Sequence, residues 1–122
     1  MRKTGIAIGL SLMSLTVFAQ KKEMRNASKA VASHKYQDAL KELESVESLI
    51  SNEKDNVKAE FYYLKGLALF NKNTNDINGV RQAVASLNEA KKYQASASVA
   101  KSISEFASNM SQKLVSTAIE DQ

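Results

Sequence analysis

Residues 61–70 read Phe-Tyr-Tyr-Leu-Lys-Gly-Leu-Ala-Leu-Phe, and this stretch decides the fold. As a helix it would carry apolar and aromatic side chains over much of its circumference, whereas a surface helix shows a single apolar stripe. The stretch therefore predicts a central helix that has neighbours on more than one side. Gly66 stands in its middle, where it removes a side chain at a point that a partner helix must approach closely.

Four further helices are predicted around this central one. Their apolar residues recur at steps of three and four, which is the pattern of a helical stripe. His34 and Lys35 form the predicted first turn, and the chain has no proline and only four glycines. This composition favours an all-α fold with short polar turns. The predicted ranges are about 22–33, 36–50, 77–93, and from 96 or 98 to 118.

The first nineteen residues have the organisation of a secretory signal peptide. Arg2 and Lys3 precede an uncharged, mostly apolar run over 5–18, and Val17 and Ala19 supply the −3 and −1 positions of a cleavage site. The alternative is an uncleaved anchor, although the run is shorter than the roughly 20 residues of a bilayer span. We expect a signal peptide over 1–19 and a helical domain over 20–122.

This leader predicts an exported protein, located in the periplasm or cell envelope or secreted, with no stable membrane span after cleavage. The full chain has 17 basic and 13 acidic residues, and loss of Arg2 and Lys3 leaves 15 basic residues and a net charge of +2. Nucleic-acid binding requires positive charge clustered on one face. The remaining charges are well mixed, so no nucleic-acid partner is predicted.

A repeated pattern links the helices on either side of the central one. Ala39-x3-Leu43-x2-Val46 recurs as Ala83-x3-Leu87-x2-Ala90. This pattern resembles the second helix of a tetratricopeptide repeat, in which a small residue lets two helices approach and a large one fills the gap.

The central helix is similar to the first helix of the same repeat. Gly66 takes the place of its glycine, Tyr62 that of the aromatic residue four positions earlier, and Leu69 that of the large residue three positions later. An opening helix of a third unit is suggested by a further set of residues: Ile103, Phe106, Ala107 and Met110.

The resemblance implies antiparallel helix pairs stacked as a right-handed α-solenoid, in which successive pairs share a core. Two departures stand against it. Ala39 and Ala83 are 44 residues apart, whereas the repeat has about 34 residues, and the usual proline at the end of the second helix is missing. A helical bundle without repeats is the alternative fold.

Little catalytic chemistry is available in this composition. His34 is the only histidine and falls in a predicted turn, and the absence of cysteine excludes disulfides and thiolate metal sites. No serine has the glycine-flanked setting of a nucleophile elbow. We expect no enzyme activity, no catalytic residue, no metal and no cofactor.

In tetratricopeptide proteins the first helix of each pair lines a concave groove that binds peptides or partner domains. On this sequence the groove positions would be Glu60, Tyr63, Leu67, Phe70 and Asn71, with Tyr63 as the anchor for a partner. The alternative is that Tyr63, Leu67 and Phe70 pack against the first or fifth helix of the same chain.

Two functions follow from these expectations. The first is a non-enzymatic exported scaffold that binds a protein or peptide partner and forms the N-terminal part of a longer protein. The second is a small helical carrier or chaperone that holds an apolar ligand or an unfolded segment between its helices. An enclosed cavity would favour the carrier, and an open surface would favour the scaffold.

Overall fold

The computed structural model describes residues 21–72 and 76–120, with side chains through residue 113. Within these residues the chain forms helices and no strand, so the predicted all-α fold is confirmed. The predicted signal peptide, 1–19, lies outside the described residues. Five α-helices and one 3-10 helix follow in order: α1 over 21–32, α2 Tyr36–Val46, the 3-10 helix Glu47–Asn52, α3 Asp55–Lys72, α4 Ile77–Lys91 and α5 Ala97–Glu120.

The turn between α1 and α2 closes without a glycine. His34 adopts a positive φ of 61°, and two backbone hydrogen bonds close over it, from Lys35 N to Ala30 O (2.8 Å) and from His34 N to Val31 O (3.1 Å). This is the Schellman arrangement, which satisfies the last carbonyl groups of a helix. The His34 side chain contributes as well, since its Nδ1 lies 2.6 Å from the Tyr36 hydroxyl.

The end of the second predicted helix differs from the sequence expectation. The α-helix stops at Val46, and the chain continues as a 3-10 helix through Asn52. Such tighter turns are common at helix ends because they satisfy the last carbonyl groups. Here the tighter turn carries Ile50 into the core, where it is 1% exposed.

Helix α3 is central, as its composition predicts, and it contributes to three buried clusters. Phe61 and Leu64 pack with Met24 and Ala27 of α1 and with residues of α2 and the 3-10 helix. Phe70 packs instead with residues of α4 and α5. A third cluster holds only alanines, from α1, α2 and α3, which lets their backbones approach closely: Ala30, Ala39 and Ala68.

The residues predicted to pack the repeats lie in or against these clusters. Nine are buried: Ala39, Leu43, Gly66, Ala83, Leu87, Ala90, Ile103, Phe106 and Met110. Tyr62, Leu69 and Ala107 are partly buried and pack against the cluster of α3, α4 and α5. Tyr62 also stacks on Tyr93, just after α4, with ring centroids 6.1 Å apart and an angle of 11° between the planes.

Among the elements from α2 to α5, helices α3 and α4 make the most extensive contact, and they meet closely at Gly66. A Cβ atom built on Gly66 would lie 3.2 Å from the carbonyl oxygen of Ala83 and 3.4 Å from Cε2 of Phe106. Ala83 itself is fully buried. A Cβ at position 66 would therefore be in unusually tight contact with α4, and a larger side chain would require the neighbouring atoms to move.

Substitution of Gly66 by leucine is expected to destabilise the protein by about 1–3 kcal/mol, because it overpacks this contact. Urea unfolding followed by circular dichroism measures the loss. Ala85→Leu is the matched control, since Ala85 lies on the exposed face of α4. Equal stability of the two variants would contradict the proposed role of Gly66.

Candidate functional site

Three of the five predicted groove residues lie beneath α5. Phe70 is 8% exposed, and its ring lies edge-on to that of Phe106, with centroids 5.8 Å apart. Tyr63 meets the same ring at 6.1 Å, and Leu67 packs against this cluster. Tyr63 and Phe70 therefore contact the fifth helix of their own chain, which is one of the two arrangements that the sequence left open.

Tyr63 lies at the edge of the contact between α3 and α5 and is only partly buried. Burial raises the pKa of its hydroxyl above the ordinary value, and a hydrogen bond with the Ser102 side chain of α5 opposes that rise. Ser102 of α5 thus lies near the hydroxyl, and the ring packs on Phe106 of the same helix. Tyr63 joins α3 to α5 in this structure.

Asn71 and Glu60 lie at opposite ends of α3. Asn71 is exposed, and its Nδ2 donates a hydrogen bond to the carbonyl oxygen of Leu67 at 2.8 Å, within the last turns of the helix. Glu60 lies near the start of α3, beside α1. The structure consequently does not bring the five residues into a single open groove.

Glu60 lines a cleft of about 340 Å³ between α1 and the segment that opens α3. We call it the α1–α3 cleft. The residues of α1 that line it follow the helical period, at positions 21, 24, 25 and 28, so one face of α1 forms one wall. The full lining set is Lys21, Met24, Arg25, Ser28, Glu53, Val57 and Glu60.

Charge and apolar surface are segregated within this cleft. Met24 and Val57 also belong to, or pack against, the buried cluster of α1, α2 and α3, so they form an apolar floor. Lys21 and Arg25 stand on one side, and Glu53 and Glu60 stand on the other. A periodicity argument can place the cations on one face of α1, but it cannot show that this face lies opposite Glu60.

The four charged residues of the cleft make no ion pair with another described residue. Glu60 is partly buried, and this burial raises the pKa of its carboxyl above the ordinary value. By contrast, Lys65 of the same helix pairs with Glu47 at an Nζ–Oε1 distance of 2.6 Å. The cleft thus holds charges that no other described residue neutralises.

The described residues outside the cleft include the single histidine of the chain. His34 is exposed in its turn and contacts Tyr36. In the described part of the chain, no group of three or more histidine, aspartate or glutamate side chains is placed to hold a metal ion. No helix there is both long and apolar enough to cross a bilayer.

Comparison with known proteins gives no relative. No protein-family model matches the chain, and neither a curated protein nor a solved structure is significantly similar to it.

The buried position of Glu60 leads to a pH-dependent prediction. A carboxyl whose pKa is higher in the folded state contributes stability while it is protonated, and this contribution is lost as the pH rises through the folded-state pKa. Glu60→Gln removes the charge, so we expect a higher melting temperature at neutral pH. The gain should shrink as the pH falls to values at which Glu60 is protonated in both states.

Thermal unfolding at a series of pH values measures this effect. Glu44→Gln is the matched control, because Glu44 lies exposed on α2 and its loss changes the net charge equally. The same gain in both variants, or a pH-independent gain for Glu60→Gln, would contradict the assignment of the effect to burial.

Proposed function

We propose that the chain is a non-enzymatic, exported module that resembles tetratricopeptide repeats and binds a segment of a partner protein in the α1–α3 cleft. The observation that supports this function is a set of charged side chains around an apolar floor that have no ion-pair partner among the described residues. Interfaces of proteins combine an apolar centre with a polar rim that sets specificity. Met24 and Val57 would form the centre, and the charged residues would form the rim.

The size of the cleft favours a short polypeptide segment. About 340 Å³ lies at the lower end of the range of roughly 300–1,000 Å³ that is typical of ligand pockets, so it fits an apolar side chain with its neighbours. A purely apolar ligand would have to desolvate Arg25 and Glu60 without replacing their hydrogen bonds, which is costly. The cleft therefore suits a scaffold better than an apolar carrier.

A blocking substitution tests this function. Ser28 is exposed and lines the cleft, so Ser28→Trp should fill the cleft without disturbing the core. Ser104→Trp is the matched control, since Ser104 is exposed on α5. Both variants and the wild type are used to capture proteins from an envelope extract of the source organism, and the recovered proteins are quantified by mass spectrometry.

We expect proteins that are recovered with the wild type and with Ser104→Trp, and whose recovery falls at least tenfold with Ser28→Trp. A tenfold loss corresponds to about 1.4 kcal/mol of binding free energy. Equal recovery with both tryptophan variants would mean that the cleft does not bind the partner.

Export is tested separately by intact-mass measurement after expression of the full chain in a bacterium. We expect a mature protein that begins at Gln20 and is recovered in the periplasmic or secreted fraction. Leu10→Arg interrupts the apolar run of the leader and should leave the protein unprocessed. A wild-type chain that retains Met1 in the membrane fraction would favour the uncleaved anchor.

A further inference from the structure

Opposite charges stand on the two walls of the α1–α3 cleft. Lys21 and Arg25 extend from α1, four residues apart and therefore on one side of that helix. Glu53 precedes α3, and Glu60 lies one turn beyond Val57 within it. Neither pair is neutralised by another described residue. Positively and negatively charged side chains are therefore both available to a ligand.

We propose that the cleft selects a polypeptide segment in which an apolar side chain lies between an acidic residue and a basic residue. The acidic side chain pairs with Arg25 and Lys21, the apolar side chain contacts Met24 and Val57, and the basic side chain pairs with Glu60. This inference rests on the proposed function and assigns the chemistry of the partner.

Charge complementarity excludes segments of a single sign. A wholly acidic segment would pair with Arg25 but would place a carboxylate beside Glu60. A wholly basic segment would pair with Glu60 but would place a cation beside Arg25. Like charges brought together in an interface repel each other and suppress binding of the wrong partner. Specificity for a bipolar segment thus comes from repulsion on one wall as well as attraction on the other.

Because Glu60 is partly buried, we expect it to discriminate between ligands more strongly than the exposed Arg25 does. Its carboxylate has lost part of its contact with water without gaining a partner from the described residues. A basic side chain of the ligand would replace that lost hydration with a charge-assisted hydrogen bond. An uncharged ligand residue at the same place would leave the carboxylate less hydrated still, so the cleft disfavours it.

A library of displayed random peptides tests the assignment without a known partner. Selection uses the wild-type domain, with Ser28→Trp as the counter-selection that removes peptides bound elsewhere. We expect the cleft-dependent peptides to share an apolar residue flanked by one acidic and one basic residue. Synthetic copies are then titrated by fluorescence anisotropy against the wild type, Glu60→Gln, Arg25→Gln and, as a control, Glu44→Gln.

Glu60→Gln and Arg25→Gln should each weaken binding about tenfold, and Glu44→Gln should leave it unchanged. A charge exchange identifies the pairing: Glu60→Lys should restore binding of a peptide whose basic residue has been replaced by glutamate. Restoration cannot arise from a merely structural effect of the substitution, because the same variant must lose the original peptide.

The outcomes separate the two proposals. If the wild type selects no peptide that Ser28→Trp fails to bind, the proposed function is wrong. If cleft-dependent peptides are found but carry charges of one sign, or if their affinities are unchanged in Glu60→Gln and Arg25→Gln, the cleft binds polypeptides and the bipolar assignment is overturned.

Discussion

The approach of α4 to α3 at Gly66 is the contact on which the rest of the structure depends. The carbonyl oxygen of Ala83 lies so near the α-carbon of Gly66 that a Cβ there would be only 3.2 Å from it. Phe106 of α5 reaches the same glycine, so one missing side chain serves two helix contacts. Because interiors are packed at nearly crystalline density, a small residue at such a point fixes how near its neighbours come. The same Phe106 ring also contacts Tyr63 and Phe70, so the close approach at Gly66 is continuous with the covering of α3 by α5.

Much of the fold could be predicted from local pattern alone. The period of apolar residues defines α1 to α5, and the sequence pairs Gly66 with Ala83 because each is small within an apolar stripe. The 3-10 turn at the end of α2 could not be found in this way, since Ile50 continues the same stripe in either geometry. The closing of the first turn by His34 at positive φ also carries no strong sequence signal, because a glycine is the usual residue there.

The candidate site was less accessible to sequence reasoning. The resemblance to tetratricopeptide repeats implies a groove along Tyr63, Leu67 and Phe70, but an apolar residue on the face of a helix has the same pattern whether a partner or a helix of its own chain covers it. In this structure the ring of Phe106 covers Tyr63 and Phe70. The α1–α3 cleft depends on which side of α1 faces the start of α3, and only the packing of Met24 and Ala27 against Phe61 and Leu64 settles that orientation.

Two carboxylates, Glu47 of the 3-10 helix and Glu60 of α3, differ in the partners that the fold gives them. Glu47 finds the Lys65 ammonium at 2.6 Å at the protein surface, where such a pair contributes little to stability. Glu60 lies five residues before Lys65, is more buried than a solvated surface carboxylate, and meets no described cation, although Arg25 lines the same cleft. A fold selected only for stability would gain from an uncharged residue at this position, since burial without a partner penalises the charge. If the cleft binds a polypeptide as proposed, a cation of that polypeptide would offset the desolvation of the Glu60 carboxylate. The charge that lowers the stability of the free protein would then contribute to the affinity for the partner.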